Sequence, residues 1–341
     1  MYDPGDLQVF DPILSNFSVG FQDQNLYGER LMPITRVNSR NGRYRVFDRS
    51  NWMRAGYAHR APGAVANEIV GRKWSEDTWQ VKEYSLQSPT FDEEDEELNS
   101  PGGLGQPNLG GALDINPHQD ATELVTRALL LEHESQVSTL MRNASNYPGG
   151  YTVTLTGSQQ WSDYTGGVSS TSDPVSNLRA GALAVYKATL QWPNTVIFPF
   201  DATGVIENHP RVVARYQYTS VYDPKAWQQL LGLPPGVADN MNIFVVDSRQ
   251  NTADSIDATE NIVSFWGQDV WMGIVNPGDG MKIQTFGKTF ARPYPNGDIR
   301  PTDRWREEGR KSDIVRVSYR FDLKIVNAKA GYLIKTAVAA V

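Results

Sequence analysis

The chain has 341 residues, 40% of them apolar and 11% aromatic, which is enough to bury a core, and its 21% charged residues set it apart from a disordered chain. A net charge of −7 excludes an ordinary basic, phosphate-gripping nucleic-acid binder, and the absence of cysteine excludes disulfides, thiolate metal sites and cysteine nucleophiles. The N-terminus lacks a signal-peptide pattern, and Lys324, Lys329 and Lys335 interrupt the apolar C-terminal stretch, so the latter reads as a buried strand plus tail of a soluble cytoplasmic protein rather than a membrane span.

In chain order, residues 1–40 are punctuated by Pro4, Pro12, Gly20, Gly28 and Pro33 and carry no helical stripe, which predicts an arm lying on something else. "RYRVFD" (43–48) alternates, with Tyr44 and Val46 on one face and Arg43, Arg45 and Phe47 on the other. "TWQVKEYSL" (78–86) puts Trp79 and Val81 together. The polar stretch of about thirty residues between them is far longer than a hairpin turn, so the pair predicts a projecting β-arm. "DEEDEE" (92–97) follows, then the flexible connector "PGGLGQPNLGG" (101–111), which lacks the flanking strand and the lysine of a phosphate loop.

A long helix is expected over 117–146, with Asn116 as N-cap, Pro117 at the first helical position and Gln119 in a capping box. Ala121, Leu124, Ala128 and Leu131, then Val137, Leu140, Met141 and Ala144, make its apolar stripe. "YTVTL" (151–155) reads as a strand. "SDPVSNLRAGALAVYKATLQW" (172–192) reads as a helix capped by Asp173, "NTVIFPF" (194–200) as a buried strand, and "DPKAWQQLLGL" (223–233) as a short helix. "NIFVVDS" (242–248), "VWMGIV" (270–275) and "DIVRVSYRFDLKIV" (313–326) complete an α+β chain.

Candidate chemistry is sparse. His59, His118, His133 and His209 are scattered, without metal-ligand spacing, and neither HExxH nor GxSxG occurs. His133, in "LEHES", reads as a surface or interface residue. His209, ahead of Pro210, reads as a structural histidine beside a helix start. No enzyme activity, cofactor or metal is expected. Between residues 40 and 60, six arginines (Arg40, Arg43, Arg45, Arg49, Arg54 and Arg60) stand against one acid, Asp48. They read as a nucleic-acid patch, as a solvated face, or as partners for Asp92, Glu93, Glu94, Asp95, Glu96 and Glu97 on a neighbouring subunit. The projecting arm favours the last, in which such pairs set register more than affinity.

The segment "SDPVSNLRAGALAVYKATLQWPNTVIFPFDATGVIENHPRVVARYQYTS" resembles tailed-bacteriophage major capsid proteins of the Hong Kong 97-like fold. The resemblance lies in the order of Pro193-Asn194-Thr195, His209-Pro210 and Tyr218-Thr219. "GERLMPITRV…GRYRVFDR" resembles the family's arm leading into its extended loop, and "RKSDIVRVSYRFDLKIVNAKAGYLIKTAV" its closing strand and tail.

The resemblance implies an α+β chain with an N-arm (1–42), an extended β-loop (43–88), a peripheral domain (89–174) holding a spine helix at 117–146, an axial domain (175–290) and a return to the peripheral domain with the tail (291–341). It implies an icosahedral shell around a double-stranded DNA genome, assembled in the host cytoplasm from hexamers and pentamers. The expected partners are other copies of the chain, a portal, a decoration protein and DNA touched weakly and non-specifically, with no membrane. Met1 lies about forty residues before the loop, so the scaffolding protein is expected to be separate. Lys73 and Lys82 lie in or near the loop, but nothing assigns them to a covalent crosslink. An encapsulin-like compartment or another virion structural protein is the alternative.

Overall fold

The computed structural model describes residues 26–47, 74–93, 117–216, 241–253, 259–278 and 284–339, together with residues 14, 15, 18, 59, 62, 63, 65 and 96. The expected helix at 223–233 and the connector at 101–111 lie outside them.

Two five-stranded sheets organise the chain. In the first, β1 (Ile34–Arg36) runs parallel to β11 (Gly287–Ala291), which pairs antiparallel with β13 (Ser312–Ile325). The 14-residue β13 is long enough to carry β11 near one end and β12 (Thr302–Glu307) near the other, with β4 (Lys82–Phe91) along its opposite edge. In the second sheet the order is β5 (Thr152–Thr154), β14 (Gly331–Lys335), β10 (Val270–Gly273), β6 (Thr195–Pro199) and β7 (Asn242–Val246). Two hairpins stand apart: β2 (Asn41–Phe47) with β3 (Trp74–Gln80), and β8 (Arg249–Asn251) with β9 (Ile262–Ser264).

The sheets cut across the expected segments. β14, expected with the returning peripheral segment, is hydrogen bonded between β5 and β10 of the second sheet, whereas β11, expected in the axial segment, belongs to the first. "TWQVKEYSL" is likewise two strands. The chain breaks at Val81, whose N–H turns to Arg40 O at 2.9 Å, and pairing passes from β2 to β13.

After α1 (Gly28–Leu31), the long helix α2 covers Pro117–Arg142, about 39 Å at 1.5 Å per residue. It ends four residues earlier than expected, because Asn143 is extended and its side chain accepts from Ser145 N to start a 3-10 turn over Ala144–Asn146. Its buried face is also rotated from the expected stripe. Leu124 is 64% exposed, whereas Thr122, Thr126, His133, Glu134 and Ser138 are buried beside Val125, Leu129 and Val137. Polar residues occupy this face because each buried hydroxyl has a partner: Thr122 Oγ1 donates to His118 O at 2.7 Å, Thr126 Oγ1 to Ser18 Oγ at 2.9 Å and Ser138 Oγ to Ser135 O at 2.9 Å. Val125 and Leu129 meet Val317 and Tyr84 of the first sheet.

α3 (Pro174–Thr189) starts as its sequence requires, with the Asp173 side chain accepting from Ser176 N and Pro174 in the first turn. It covers the second sheet, and the main core forms there around Trp161, Phe198, Trp266, Trp271 and Phe286. β6, buried at every position, runs into α4 (Phe200–Glu207) and then α5 (Pro210–Tyr216).

Candidate assembly surface

The β2–β3 arm is anchored at one end. Along β3, Trp79 is buried and Trp74, Ser75, Glu76, Asp77 and Thr78 are exposed. At the root, Gly42 lies opposite Trp79, and the indole occupies the space above it: a Cβ on Gly42 would fall 2.1 Å from Trp79 Cζ2. The missing side chain lets the indole stack on Phe290 of β11, centroids 5.2 Å apart at 16°, with Tyr44 at 5.3 Å from Phe290. Val37 and Val81 close this small core. Tyr44 donates to Asp77 Oδ2 at 2.7 Å, and burial followed by that bond pushes its phenol well above the ordinary range. Gln80 N donates to Asp322 Oδ2 at 2.8 Å, which ties the root to β13.

Beyond the root the arm is charged. Arg43 faces Glu76 at 3.8 Å, an exposed pair worth little alone. The Arg45 guanidinium lies 4.7 Å from the centroid of the Trp74 ring, a cation–π contact that leaves the half-exposed indole usable as contact area. Arg40 is exposed and its carbonyl accepts from Val81 N.

The acidic run begins where β4 ends, beside the β12–β13 hairpin. Asp92 takes a two-pronged bond from Arg306, which holds its carboxyl below the usual carboxylate range, and its N–H donates to Lys311 O at 3.1 Å. Arg306 also approaches Asp313 at 3.6 Å, and Asp313 accepts from Arg304 at 2.5 Å and lies 3.8 Å from His118 Nε2. Glu93 and Glu96 are exposed. The first acid of the run is therefore engaged within its own chain. Arg49, Arg54, Arg60, Glu94, Asp95 and Glu97 lie outside the described residues.

The interior holds two histidines. His133 is not a surface residue, as the sequence suggested, but is 1% exposed. Its ring meets Phe321 edge-on at 5.0 Å, and Nε2 lies 3.3 Å from Thr289 Oγ1. The Thr289 hydroxyl spends its proton on Met32 O at 2.8 Å, so His133 Nε2 carries the proton that Thr289 accepts. Burial, with a smaller push from Arg300, lowers its pKa to about 3, so it is neutral. His209, 0% exposed, is the structural residue expected. Its Nδ1 accepts from Arg211 N at 3.3 Å and its Nε2 meets Ser172 Oγ at 3.1 Å, while Arg211 reaches Asp173 and Ser170 O.

Glu134 was missed in the sequence. Fully buried, it accepts from Tyr27 N at 3.0 Å and from Gly28 N on Oε2, and from Trp266 Nε1 at 2.7 Å and Ser248 Oγ at 3.1 Å on Oε1. Burial raises its pKa, and these hydrogen bonds oppose the rise. All four partners donate, which suits a carboxylate. The signal available was an acid inside the apolar run "RALLLEHESQVSTLM", where a charge needs a built site.

Among the described residues no group of three His, Cys, Asp or Glu is placed to hold a metal ion, and no helix is long and apolar enough to cross a membrane. No family model matches the chain. The major capsid protein of Burkholderia phage BcepMu is 23% identical over 333 residues, 96% of each chain. That of Pseudomonas phage JBD67 is 24% identical over 296 residues, 80% of this chain and 88% of the relative. A phage-related protein from Bordetella bronchiseptica shares the fold with a TM-score of 0.71 at 21% identity, covering 97% of this chain and 98% of the other. The mature capsid of bacteriophage PhiM1 gives 0.51 at 12% identity, covering 93% and 88%. Similar in sequence over nearly its whole length to proteins of this kind and alike in fold to phage capsids, the chain is a homologue of the phage major capsid proteins.

Proposed function

We propose that the chain is the shell subunit of a tailed-phage head and builds an icosahedral capsid in which the β2–β3 arm of each subunit laps a neighbour. The observation that carries the proposal is the arm itself. A two-stranded hairpin is marginal alone in water, and here the root is packed on β11 while six of the seven residues of β3 are exposed, Glu76 and Asp77 among them. Such an element gains its burial in an assembly. Closed point-group packing then multiplies many modest contacts. The encapsulin-like alternative has less support, since the sequence relatives that span the chain are phage capsid proteins.

On this reading α2 is the spine helix, the first sheet with α2 is the peripheral layer, and the second sheet with α3 is the axial one. Other copies in hexamers and pentamers, a portal, a scaffolding protein, a decoration protein and loosely held DNA are the partners this reading expects. Arg40, Arg43 and Arg45 on the arm, continuing to Arg49, Arg54 and Arg60, pair across the subunit boundary with Glu93 to Glu97. Asp92 fixes the start of that run through Arg306.

Electron microscopy of the purified protein, with and without co-expressed scaffolding protein, tests the proposal. Closed shells are expected, and discrete monomers or dimers in both preparations would refute it. The charge pairing is tested separately. R40E/R43E/R45E is expected to lower the yield of shells severalfold, and E93K/E96K in the same chain to restore part of it. Failure of that rescue, with shells otherwise normal, would remove the pairing and leave the shell function standing.

A further inference from the structure

The four donors on Glu134 come from two distant parts of the chain. Tyr27 and Gly28 form the start of α1, the root of the N-terminal segment, and both bind Oε2. Ser248 and Trp266 flank the β8–β9 hairpin, and both bind Oε1. The base of that hairpin is closed by Phe265 N donating to Ser248 O at 3.1 Å, and Arg142 at the end of α2 holds Phe265 O at 2.6 Å. Ser248 and Trp266 are 2% and 1% exposed, so these are interior contacts.

We propose that Glu134 makes the docking of the arm root (26–32) and the closure of the β8–β9 hairpin base mutually dependent. The two oxygens belong to one rigid planar group. A rotation that lets one oxygen follow a departing partner takes the other out of line with its own. Loss of either donor pair also leaves a buried charge half satisfied, so the surroundings rearrange to supply what is missing. The site has no slack on the arm side: a Cβ on Gly28 would lie 2.9 Å from Glu134 Oε2 and 2.9 Å from His133 Nδ1. Apolar packing also ties residues 26–32 to this part of the core, the Tyr27 ring lying 5.5 Å from Phe244 of β7, and it does not involve the carboxylate. The coupling is internal to one subunit, is reciprocal as any linkage must be, and holds whether or not the subunit assembles.

Hydrogen exchange read by mass spectrometry on S248A, G28A and the double variant tests this. S248A removes one donor from Oε1 and leaves Tyr27 and Phe244 untouched. It is expected to speed exchange at least threefold in residues 26–32, beyond its own loop. G28A is expected to speed exchange in 247–252 and 261–266. In the double variant the effects are expected to be smaller than the product of the single ones, because both act by unseating the same carboxylate. Changes confined to each mutated segment, or multiplicative effects in the double variant, would overturn the proposal. If G28A does not fold, the response of 26–32 to S248A decides alone.

Discussion

Replacing Gly42 by alanine tests how the β-arm is aimed. The new Cβ would lie 2.1 Å from Trp79 Cζ2 and 2.6 Å from Cε2 and Cη2. Carbon atoms pack at about 3.5–4.0 Å, so the indole must withdraw by about 1.5 Å or the strands must part. Withdrawal breaks the stack on Phe290, 5.2 Å away at 16°, and loosens the contact with Tyr44 at 6.2 Å. Overpacking costs about 1–3 kcal/mol and a lost aromatic pair about 0.5–1.5 kcal/mol. Alanine returns about 0.4–1 kcal/mol by restricting the unfolded chain. The net expectation is about 0.5–4 kcal/mol, concentrated at the root of the arm. Denaturant unfolding gives the total, hydrogen exchange over 41–47 and 74–80 locates it, and sedimentation reports whether shells still form. W79A removes the atoms that clash, so G42A added to W79A should cost almost nothing more. Unchanged unfolding and arm protection in G42A, or full additivity with W79A, would refute the steric argument.

Other outcomes follow from the interior charges and caps. His133 has a folded pKa of about 3, below the model-peptide 6.5, so the unfolded chain binds the extra proton between those values. Its stabilising neutral state is fully effective above about pH 6.5 and is lost as pH falls toward 3, at up to about 1.4 kcal/mol per pH unit. Unfolding of H133Q against the parent chain from pH 6.5 to 5 should expose this slope in the difference. The raised pKa of Glu134 acts in the opposite sense, but it is common to both chains. A flat difference would contradict the neutral buried imidazole. D173A should cost about 1–2 kcal/mol in thermal or denaturant unfolding through loss of the cap on α3. D173N keeps the cap and should recover most of it, whereas equal losses would assign the effect to the Arg211 pair instead. R306A should leave the unfolding midpoint close to that of the parent chain, because its pairs are solvent-screened, and a clear drop would mean that the Asp92 bond organises the hairpin.

Periodicity and punctuation were enough for much of the architecture. Proline behind a capping residue marks where α3 starts, and Pro117 marks the first residue of α2. Alternation in "RYRVF" gives the sidedness of β2, with Tyr44 inside and Arg43 and Arg45 outside. These signals are local: they depend on neighbours within a turn of helix or two residues of strand. The order of weak motifs also carried the family resemblance, which the capsid relatives bear out.

What the sequence concealed is the partner of each polar group. An apolar stripe put Leu124 inside α2 and His133 outside, and tertiary structure reversed both. Glu134 and His133 are tolerable in the core only because Gly28, Trp266, Ser248 and Thr289 arrive there from distant segments. Nor does any local pattern reveal that Gly42 is empty so that Trp79 can fill its place, or that Asp92 answers to Arg306, 214 positions along the chain. Local propensity is written in adjacent residues, so helix starts and strand alternation could be read there, but the buried face of α2 could not. A buried charge or an indole is satisfied by atoms that only the folded chain brings within 3–5 Å, and these the tertiary structure alone decided.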